Sequence, residues 1–184
     1  IKTHLPPSAA TDDLLTQVGA FLQQHQERIT QYNGFLTHTD FVPHNIRIVD
    51  RDIYLLDHSA IRFGNKYDGW ARFLNFMLLY HRDLERALLT YVRKNRTPEE
   101  SEALHLMRLY RYTELIWYYV KRLDKTHGDL HILDEARVTF WTEALQGEFT
   151  QEPLPEARIQ AYRDLRDGLR SAEEKPPHQG LHQV

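Results

Sequence analysis

Asp40, Asn45 and Asp57 are the side chains whose types and spacing could do chemistry together in this sequence. Asp40 and Asn45 stand just before a β-rich run at 46–49, and Asp57 directly follows a second run at 53–56. If the runs pair as antiparallel strands, the two ends of the segment meet, and two carboxylates and a carboxamide face one site. Such hard oxygen ligands suit Mg²⁺, which proteins usually hold together with substrate phosphates. The sequence therefore predicts phosphoryl-transfer chemistry at this hairpin.

Helices must position this hairpin, because an isolated two-stranded hairpin is only marginally stable in water. Apolar residues recur at three- and four-residue steps over most of the chain, which is typical of amphipathic helices. The predicted helices cover 14–33, 70–88, 98–125, 133–146 and 155–170. Thr97 can cap the third of them, and Pro98 suits its first turn. We therefore predict a mainly α fold with a small β-hairpin (α+β), in one domain at 1–170 followed by a surface tail at 171–184.

A resemblance to a known family is carried by the pattern His-x-Asp-x-x-x-x-Asn, formed by His38, Asp40 and Asn45, and by the Leu-Leu-Asp that ends the hairpin at Asp57. This pattern resembles the catalytic loop and metal-binding aspartate of the aminoglycoside phosphotransferase family of eukaryotic-like kinases, a pattern that choline kinases share. The segment 66–74 is similar to the part of the family that opens the next helix. The resemblance runs from about Leu36 to Leu74, and the flanking helices agree only in order and kind.

The resemblance implies a role for each matching residue of the catalytic loop at 36–45 and of the hairpin at 46–56. Asp40 would be the catalytic aspartate, which orients the acceptor hydroxyl and receives its proton. Asn45 would bind one Mg²⁺, and Asp57 would bridge the metal and the phosphates of ATP or GTP. His38 would brace the loop. Asp68 would support the site by capping the next helix while it accepts hydrogen bonds from the catalytic loop.

The resemblance also implies a nucleotide site near Arg47 and Leu56. Arg47 stands two positions after the asparagine, where the family usually has an apolar residue that forms the floor of the adenine pocket. An arginine there could stack on a base. His58 follows the metal aspartate where the family often has an aromatic residue.

The family's acceptors are small molecules with a hydroxyl group, such as aminoglycosides, choline, amino alcohols and sugars. One candidate wall for the acceptor is the aromatic run at 115–119 in the third helix. Trp117 and Tyr118 point away from the apolar seam of this helix, and Glu114 nearby could attract a cationic amine. The alternative interpretation of the same run is packing against a neighbouring helix.

The fold implied by the resemblance is the helical C-terminal lobe of a protein-kinase-like fold without its N-terminal β lobe. A kinase of this type also needs a Gly-rich loop over the phosphates, a strand lysine and a helix glutamate. None of these can be placed in the 37 residues before His38. We therefore expect a catalytic lobe that is inactive without the missing N-terminal lobe.

A second candidate for the catalytic loop is the stretch His127-Gly128-Asp129-Leu130-His131. Asp134 stands at its asparagine position, and neither a hairpin nor a second Leu-Leu-Asp follows at the required interval. We interpret this stretch as a turn between two helices with Gly128 as the break.

Two further classes of function compete with the kinase interpretation. One is a metal-dependent hydrolase, in which zinc or iron is held by a cluster of histidine and aspartate side chains: His38, His44, His58, Asp40 and Asp57. The other is a non-catalytic helical interaction module with a degenerate kinase ancestry.

Composition excludes several other functions. The chain of 184 residues has 26 acidic and 23 basic residues and a net charge of −3, without a basic block that would bind nucleic acid. The absence of cysteine excludes disulfides, thiolate catalysis and cysteine-based zinc sites. No window approaches the ~18 apolar residues of a membrane span. We therefore expect a cytoplasmic protein that binds neither nucleic acid nor membrane.

Overall fold

Helices make up most of the chain in the computed structural model, which describes residues 9–169. The helices are α1 (Ala9–Gln24), α2 (Gln26–Gln31), α3 (Asp68–Tyr80), α4 (Arg82–Asn95), α5 (Pro98–Leu123), α6 (Gly128–Phe149) and α7 (Glu156–Leu169). The strands are β1 (Phe35–His38), β2 (Ile46–Val49), β3 (Asp52–Leu55) and β4 (Ile61–Gly64). The mainly α fold with a small β part is confirmed. The tail predicted at 171–184 lies outside the described residues.

Within the described residues, the strands form two antiparallel pairs. The pair β2–β3, in which Ile46 lies opposite Leu55, is the predicted hairpin. The pair β1–β4, in which His38 lies opposite Ile61, has no counterpart in the sequence prediction. Strands β1 and β4 have four residues each, which is too short to display a clear alternation of apolar and polar residues. In addition, β4 follows β1 only after the whole β2–β3 hairpin. The result is that each end of the hairpin segment is anchored by the second pair.

Two predicted helices are each divided in the structure. The stretch 14–33 breaks at His25, between α1 and α2. The stretch 70–88 breaks at His81, whose backbone is extended with φ −156° and ψ 85°. His81 is also the N-cap residue of α4, because its ring Nδ1 accepts a hydrogen bond of 3.3 Å from the backbone N–H of Leu84. Apolar periodicity continues across such a break and does not reveal it.

The start of α5 agrees with the sequence prediction. The Thr97 hydroxyl oxygen accepts a hydrogen bond of 3.2 Å from the backbone N–H of Glu100. Glu100 Oε2 in return accepts one of 3.2 Å from the backbone N–H of Thr97. This reciprocal capping box satisfies two backbone donors that the first helical turn leaves unpaired.

The chain divides into two compact units. The hairpin unit is Gln23–Arg111, and the terminal unit is Ile1–Leu22 with Tyr112–Val184, so that the division falls within α1 and α5. The hairpin unit contains all four strands. Its buried core consists of Tyr67, Ala71, Leu74, Val92, Ala103, Leu104 and Met107. The predicted domain at 1–170 stays a prediction.

The described part of the terminal unit consists of helices and the loops that connect them. Phe140 of α6 stacks on Tyr162 of α7 with ring centroids 4.2 Å apart. The fully buried Asp134 forms ion pairs with Arg137 at 2.7 Å and with Arg122 at 3.1 Å. Gly128, with φ +58°, opens α6, which is the helix-to-helix turn predicted for the stretch 127–131. The second candidate for a catalytic loop is therefore the beginning of a helix.

None of the helices in residues 9–169 is long and apolar enough to cross a membrane.

Candidate functional site

Backbone hydrogen bonds hold the predicted catalytic loop beside the segment that carries Asp57. The N–H of Thr39 donates to the carbonyl of Ala60 at 2.9 Å, and the N–H of Leu56 donates to the carbonyl of Asn45 at 2.7 Å. The chain between β1 and β2 therefore runs alongside the chain between β3 and β4. The structure brings together the two segments that sequence spacing predicts to meet.

Asp40 and Asn45 are in direct contact. The carboxamide nitrogen of Asn45 donates a hydrogen bond of 3.0 Å to Asp40 Oδ2 and one of 2.9 Å to the Asp40 carbonyl. Asn45 is buried, whereas the Asp40 side chain is 31% exposed and reaches solvent. The carboxamide oxygen of Asn45 lies at the opposite end of its group from Asp40. The loop therefore fixes both side chains relative to each other.

Helix α3 supplies a second partner to Asp40. Arg72 donates from Nε at 3.0 Å and from Nη2 at 2.9 Å, and both bonds reach Asp40 Oδ1. One turn earlier, a Cβ on Gly69 would lie only 2.6 Å from the carbonyl oxygen of His38. A glycine is therefore needed for α3 to approach the loop this closely. The same helix contacts the loop through Phe73, whose ring centroid lies 5.6 Å from that of Phe41.

His38 is buried between the loop and the hairpin. Its Nε2 donates a hydrogen bond of 2.8 Å to the carbonyl oxygen of Leu56, the residue before Asp57. Its Nδ1 is buried and finds no hydrogen-bond partner among the described residues. The ring therefore joins the segment of Asp40 to the segment of Asp57, and the bracing role of His38 stays a prediction.

The predicted capping role of Asp68 is wrong. Tyr67 is the N-cap residue of α3, and Asp68 is the first residue of the helix. The Asp68 carboxylate instead forms a largely buried ion pair with Arg111 Nε, and Arg111 Nη2 donates at 3.3 Å to the carbonyl oxygen of Thr39. Asp68 therefore supports the loop through an arginine that lies 43 residues away in sequence.

Sequence reasoning missed both arginines of the site. Arg72 lies within the segment 66–74 and four residues after Asp68, which places the two on the same face of a helix. The four-residue spacing from Asp68 could therefore have pointed to Arg72 as a residue of the site. Arg111 lies within a long amphipathic helix, and no local pattern distinguishes it from the other basic residues there.

Asp57 is exposed and has a left-handed backbone with φ +56° and ψ 63°. This conformation is uncommon for a residue other than glycine and clusters at functional sites. The hydroxyl of Ser59 donates a hydrogen bond of 2.5 Å to Asp57 Oδ1. Carboxamide and carboxylate oxygens are ligand types that Mg²⁺ accepts, and the predicted roles of Asn45 and Asp57 as its ligands stay predictions.

The cluster that a metal-dependent hydrolase would need is not assembled. Within residues 9–169, no three histidine, aspartate or glutamate side chains are placed so that they could hold a metal ion. The geometry therefore gives no support to the zinc or iron interpretation.

The residues predicted for the nucleotide lie on the hairpin. Arg47 lies opposite Tyr54 in the β2–β3 pair, so the two side chains share one face of the ribbon, and both are exposed. Leu56 is also exposed and directly precedes Asp57. Their contribution to nucleotide binding stays a prediction.

The predicted acceptor wall belongs to the terminal unit, whereas Asp40 belongs to the hairpin unit. Glu114, Trp117 and Tyr118 are all exposed on α5. Tyr118 accepts a hydrogen bond of 3.1 Å from Arg122 Nη1, and that guanidinium lies 5.4 Å from the Tyr118 ring centroid. The role of these residues in acceptor binding stays a prediction.

A charged cluster fixes the start of α3 to the start of α5. Glu100 Oε1 accepts hydrogen bonds from Lys66 Nζ at 2.7 Å and from the Tyr67 hydroxyl at 2.5 Å. These bonds, the one from Lys66 foremost, lower the pKa of Glu100 from its ordinary 4.5 to about 2. Burial and the bond to Glu100 raise the pKa of Tyr67. The helix that carries Arg72 is therefore anchored immediately before its first turn.

No family model, no curated protein and no solved structure matches the chain.

Proposed function

We propose that the chain is the C-terminal catalytic lobe of a Mg²⁺-dependent kinase that phosphorylates a hydroxyl group of a small molecule. The phosphoryl donor is ATP or GTP, and the site lies in a cytoplasmic protein. The observation that carries this proposal is the contact between Asp40 and Asn45, on a loop that is hydrogen-bonded to the segment presenting Asp57. A carboxylate base and oxygen ligands for a metal are part of what phosphoryl transfer uses, because its catalysis consists mainly of positioning and electrostatic stabilisation.

Each of the three side chains has one task in this mechanism. Asp40 accepts the proton of the acceptor hydroxyl as its oxygen forms a bond to the terminal phosphorus and the bond to the nucleoside diphosphate breaks. Asn45, through its carboxamide oxygen, and Asp57, through its carboxylate, would hold Mg²⁺. When bound, the metal neutralises the charge that develops on the phosphate oxygens. Arg72 and His38 keep the loop in place.

The proposal includes an N-terminal lobe that binds the nucleotide and lies against the strands. Large apolar side chains on both strand pairs favour such a partner. Leu36 and Phe63 lie opposite each other and are 66% and 77% exposed. Ile48 and Ile53 are likewise paired and are 71% and 74% exposed. Contiguous apolar surface of this kind marks interaction sites.

The same surface favours a second candidate function. A helical interaction module would bind its partner through these exposed strands and would not need the Asp40 carboxylate. Phosphotransfer distinguishes the two functions, because only the kinase depends on the chemistry of the loop.

The test uses the protein encoded by the complete reading frame, incubated with Mg²⁺ and ATP or GTP. Nucleoside diphosphate release is measured with a panel of hydroxyl compounds that contains an aminoglycoside, choline, an amino alcohol and a sugar. We expect release that disappears without Mg²⁺ and falls at least 100-fold in Asp40→Asn and Asp57→Asn. Asp52→Asn, which changes an exposed carboxylate in strand β3, is the matched control and retains activity. Equal activity of Asp40→Asn and the unmodified protein would contradict the proposal.

A further inference from the structure

The hydrogen bonds of Asp40 leave one of its oxygens able to accept another. An ionised carboxylate offers about four lone-pair positions, two on each oxygen. Arg72 occupies both positions of Oδ1 with two N–H groups. Asn45 occupies one position of Oδ2. A hydroxyl that approaches Asp40 therefore finds its acceptor position at Oδ2.

His44 faces that same oxygen without bonding to it. Its Nε2 lies 4.0 Å from Asp40 Oδ2, which is too far for a hydrogen bond. The ring packs edge-on against Phe76 with centroids 6.0 Å apart, and Phe76 in turn stacks on Tyr80 at 4.5 Å. The His44 side chain is 46% exposed, so solvent and ligands reach it.

The gap between the two atoms has the dimensions of one bridging oxygen. An oxygen placed about 2.8 Å from each atom forms two normal hydrogen bonds and subtends an angle of about 90° between them. Such an oxygen can donate its hydrogen to Oδ2 and accept the hydrogen of Nε2. A hydroxyl group is able to do both at once.

We propose that Asp40 Oδ2 and His44 Nε2–H form a two-point clamp that positions the hydroxyl of the acceptor. This inference rests on the proposed function and adds His44 as the residue that orients the reacting oxygen. The hydroxyl donates its proton towards Asp40 and uses one lone pair to accept from His44, so that its second lone pair points at the terminal phosphorus. As the new O–P bond forms, the proton passes to Asp40 and the nucleoside diphosphate leaves.

A crystal structure of the chain tests the clamp with water as the probe. We expect an ordered water within about 2.6–3.2 Å of both Asp40 Oδ2 and His44 Nε2. In His44→Phe, which keeps an aromatic ring against Phe76 but removes the donor, this water should be absent while the bonds from Arg72 and Asn45 to Asp40 persist. A direct bond between the two side chains, or a site without a bridging water, would overturn the proposal.

Kinetics test the clamp in the protein encoded by the complete reading frame, with water as the acceptor of the phosphoryl group. We expect His44→Phe to lower kcat for ATP hydrolysis about tenfold with an unchanged KM for ATP, since one hydrogen bond to the attacking oxygen is lost. His44→Gln, which keeps an N–H donor, should restore most of that loss. Equal rates for His44→Phe and the unmodified protein, or equal losses in both variants, would refute the clamp. The proposed function is decided separately, by nucleoside diphosphate release with the panel of hydroxyl acceptors, and if the unmodified protein does not hydrolyse ATP, the bridging water in the crystal decides the clamp.

Discussion

Arg72 directs two N–H groups at a single oxygen of Asp40. Arginine can make this contact because its donors form a rigid fork, whereas lysine presents only a point charge. The fork fixes the orientation of the carboxylate and leaves the other oxygen to Asn45 and, in the proposed mechanism, to the acceptor hydroxyl. The arginine therefore decides which oxygen of Asp40 can accept a hydrogen bond from another group.

Arg72→Lys should lower phosphotransfer by about 10- to 100-fold, because a small misorientation of Asp40 is enough to lose that factor. The pair is about one third exposed on each side, so the free energy of unfolding should change by about 1 kcal/mol or less. Diphosphate release and urea unfolding measure the two effects separately. Undiminished activity in Arg72→Lys would show that the fork has no role.

Gly69→Ala should destabilise the chain by about 1–3 kcal/mol, since the new Cβ meets a backbone carbonyl that cannot move aside cheaply. The matched control is Gly19→Ala, because nothing lies within 4 Å of a Cβ at that exposed position in α1. There the substitution should stabilise by about 0.5–1 kcal/mol. Urea unfolding of both variants gives the comparison. A change in the free energy of unfolding that has the same sign in both would contradict the close approach of α3 to the loop.

Asp68→Ala and Arg111→Ala should each cost about 3–5 kcal/mol, because each removes one side of a largely buried ion pair. The double variant should cost clearly less than the sum of the two, since it leaves neither charge behind. The exposed pair of Asp83 and Arg86 is the control, and breaking it should change stability by about 0.5 kcal/mol or less. Additive losses at Asp68 and Arg111 would rule out the coupling.

Glu100 should make the stability of the chain sensitive to acid. Its pKa is lowered to about 2 in the folded chain and returns to the ordinary 4.5 on unfolding. A group with a lowered folded pKa contributes stability above its unfolded pKa and loses that contribution as the pH falls through the folded value. The contribution is therefore complete above about pH 5 and disappears towards pH 2.

Glu100→Gln isolates this effect, because glutamine can still serve in a capping box. The difference in free energy of unfolding between the unmodified chain and the variant should shrink from pH 7 to pH 3. Lys66→Met should raise the pKa of Glu100, as read from its side-chain carbon resonances in NMR. A difference that does not change with pH would contradict the lowered pKa.

The hairpin and its end groups could be predicted because their determinants are local. Val49 and Asp52 close a two-residue turn between two β-rich runs, and this fixes the register as far as Ile46 and Leu55. Asn45 lies five residues after Asp40, close enough for the spacing itself to suggest their contact.

The remaining support of the site depends on contacts that no local pattern encodes. Strand β1 pairs with β4 across the whole hairpin, and Arg111 reaches the loop from α5. The division of the second predicted helix at His81 was equally hidden, because the apolar period continues on both sides of it. Only tertiary packing decides these features, so the sequence predicted the hairpin and the contact between Asp40 and Asn45 better than the elements that hold them.

The exposed strand faces have a practical consequence for handling the isolated chain. Short antiparallel ribbons present four large apolar side chains to water: Leu36, Phe63, Ile48 and Ile53. Such ribbons can recruit further strands from other molecules and nucleate aggregation. We expect the isolated chain to self-associate as its concentration rises, and a charged residue at position 63 to keep it monodisperse.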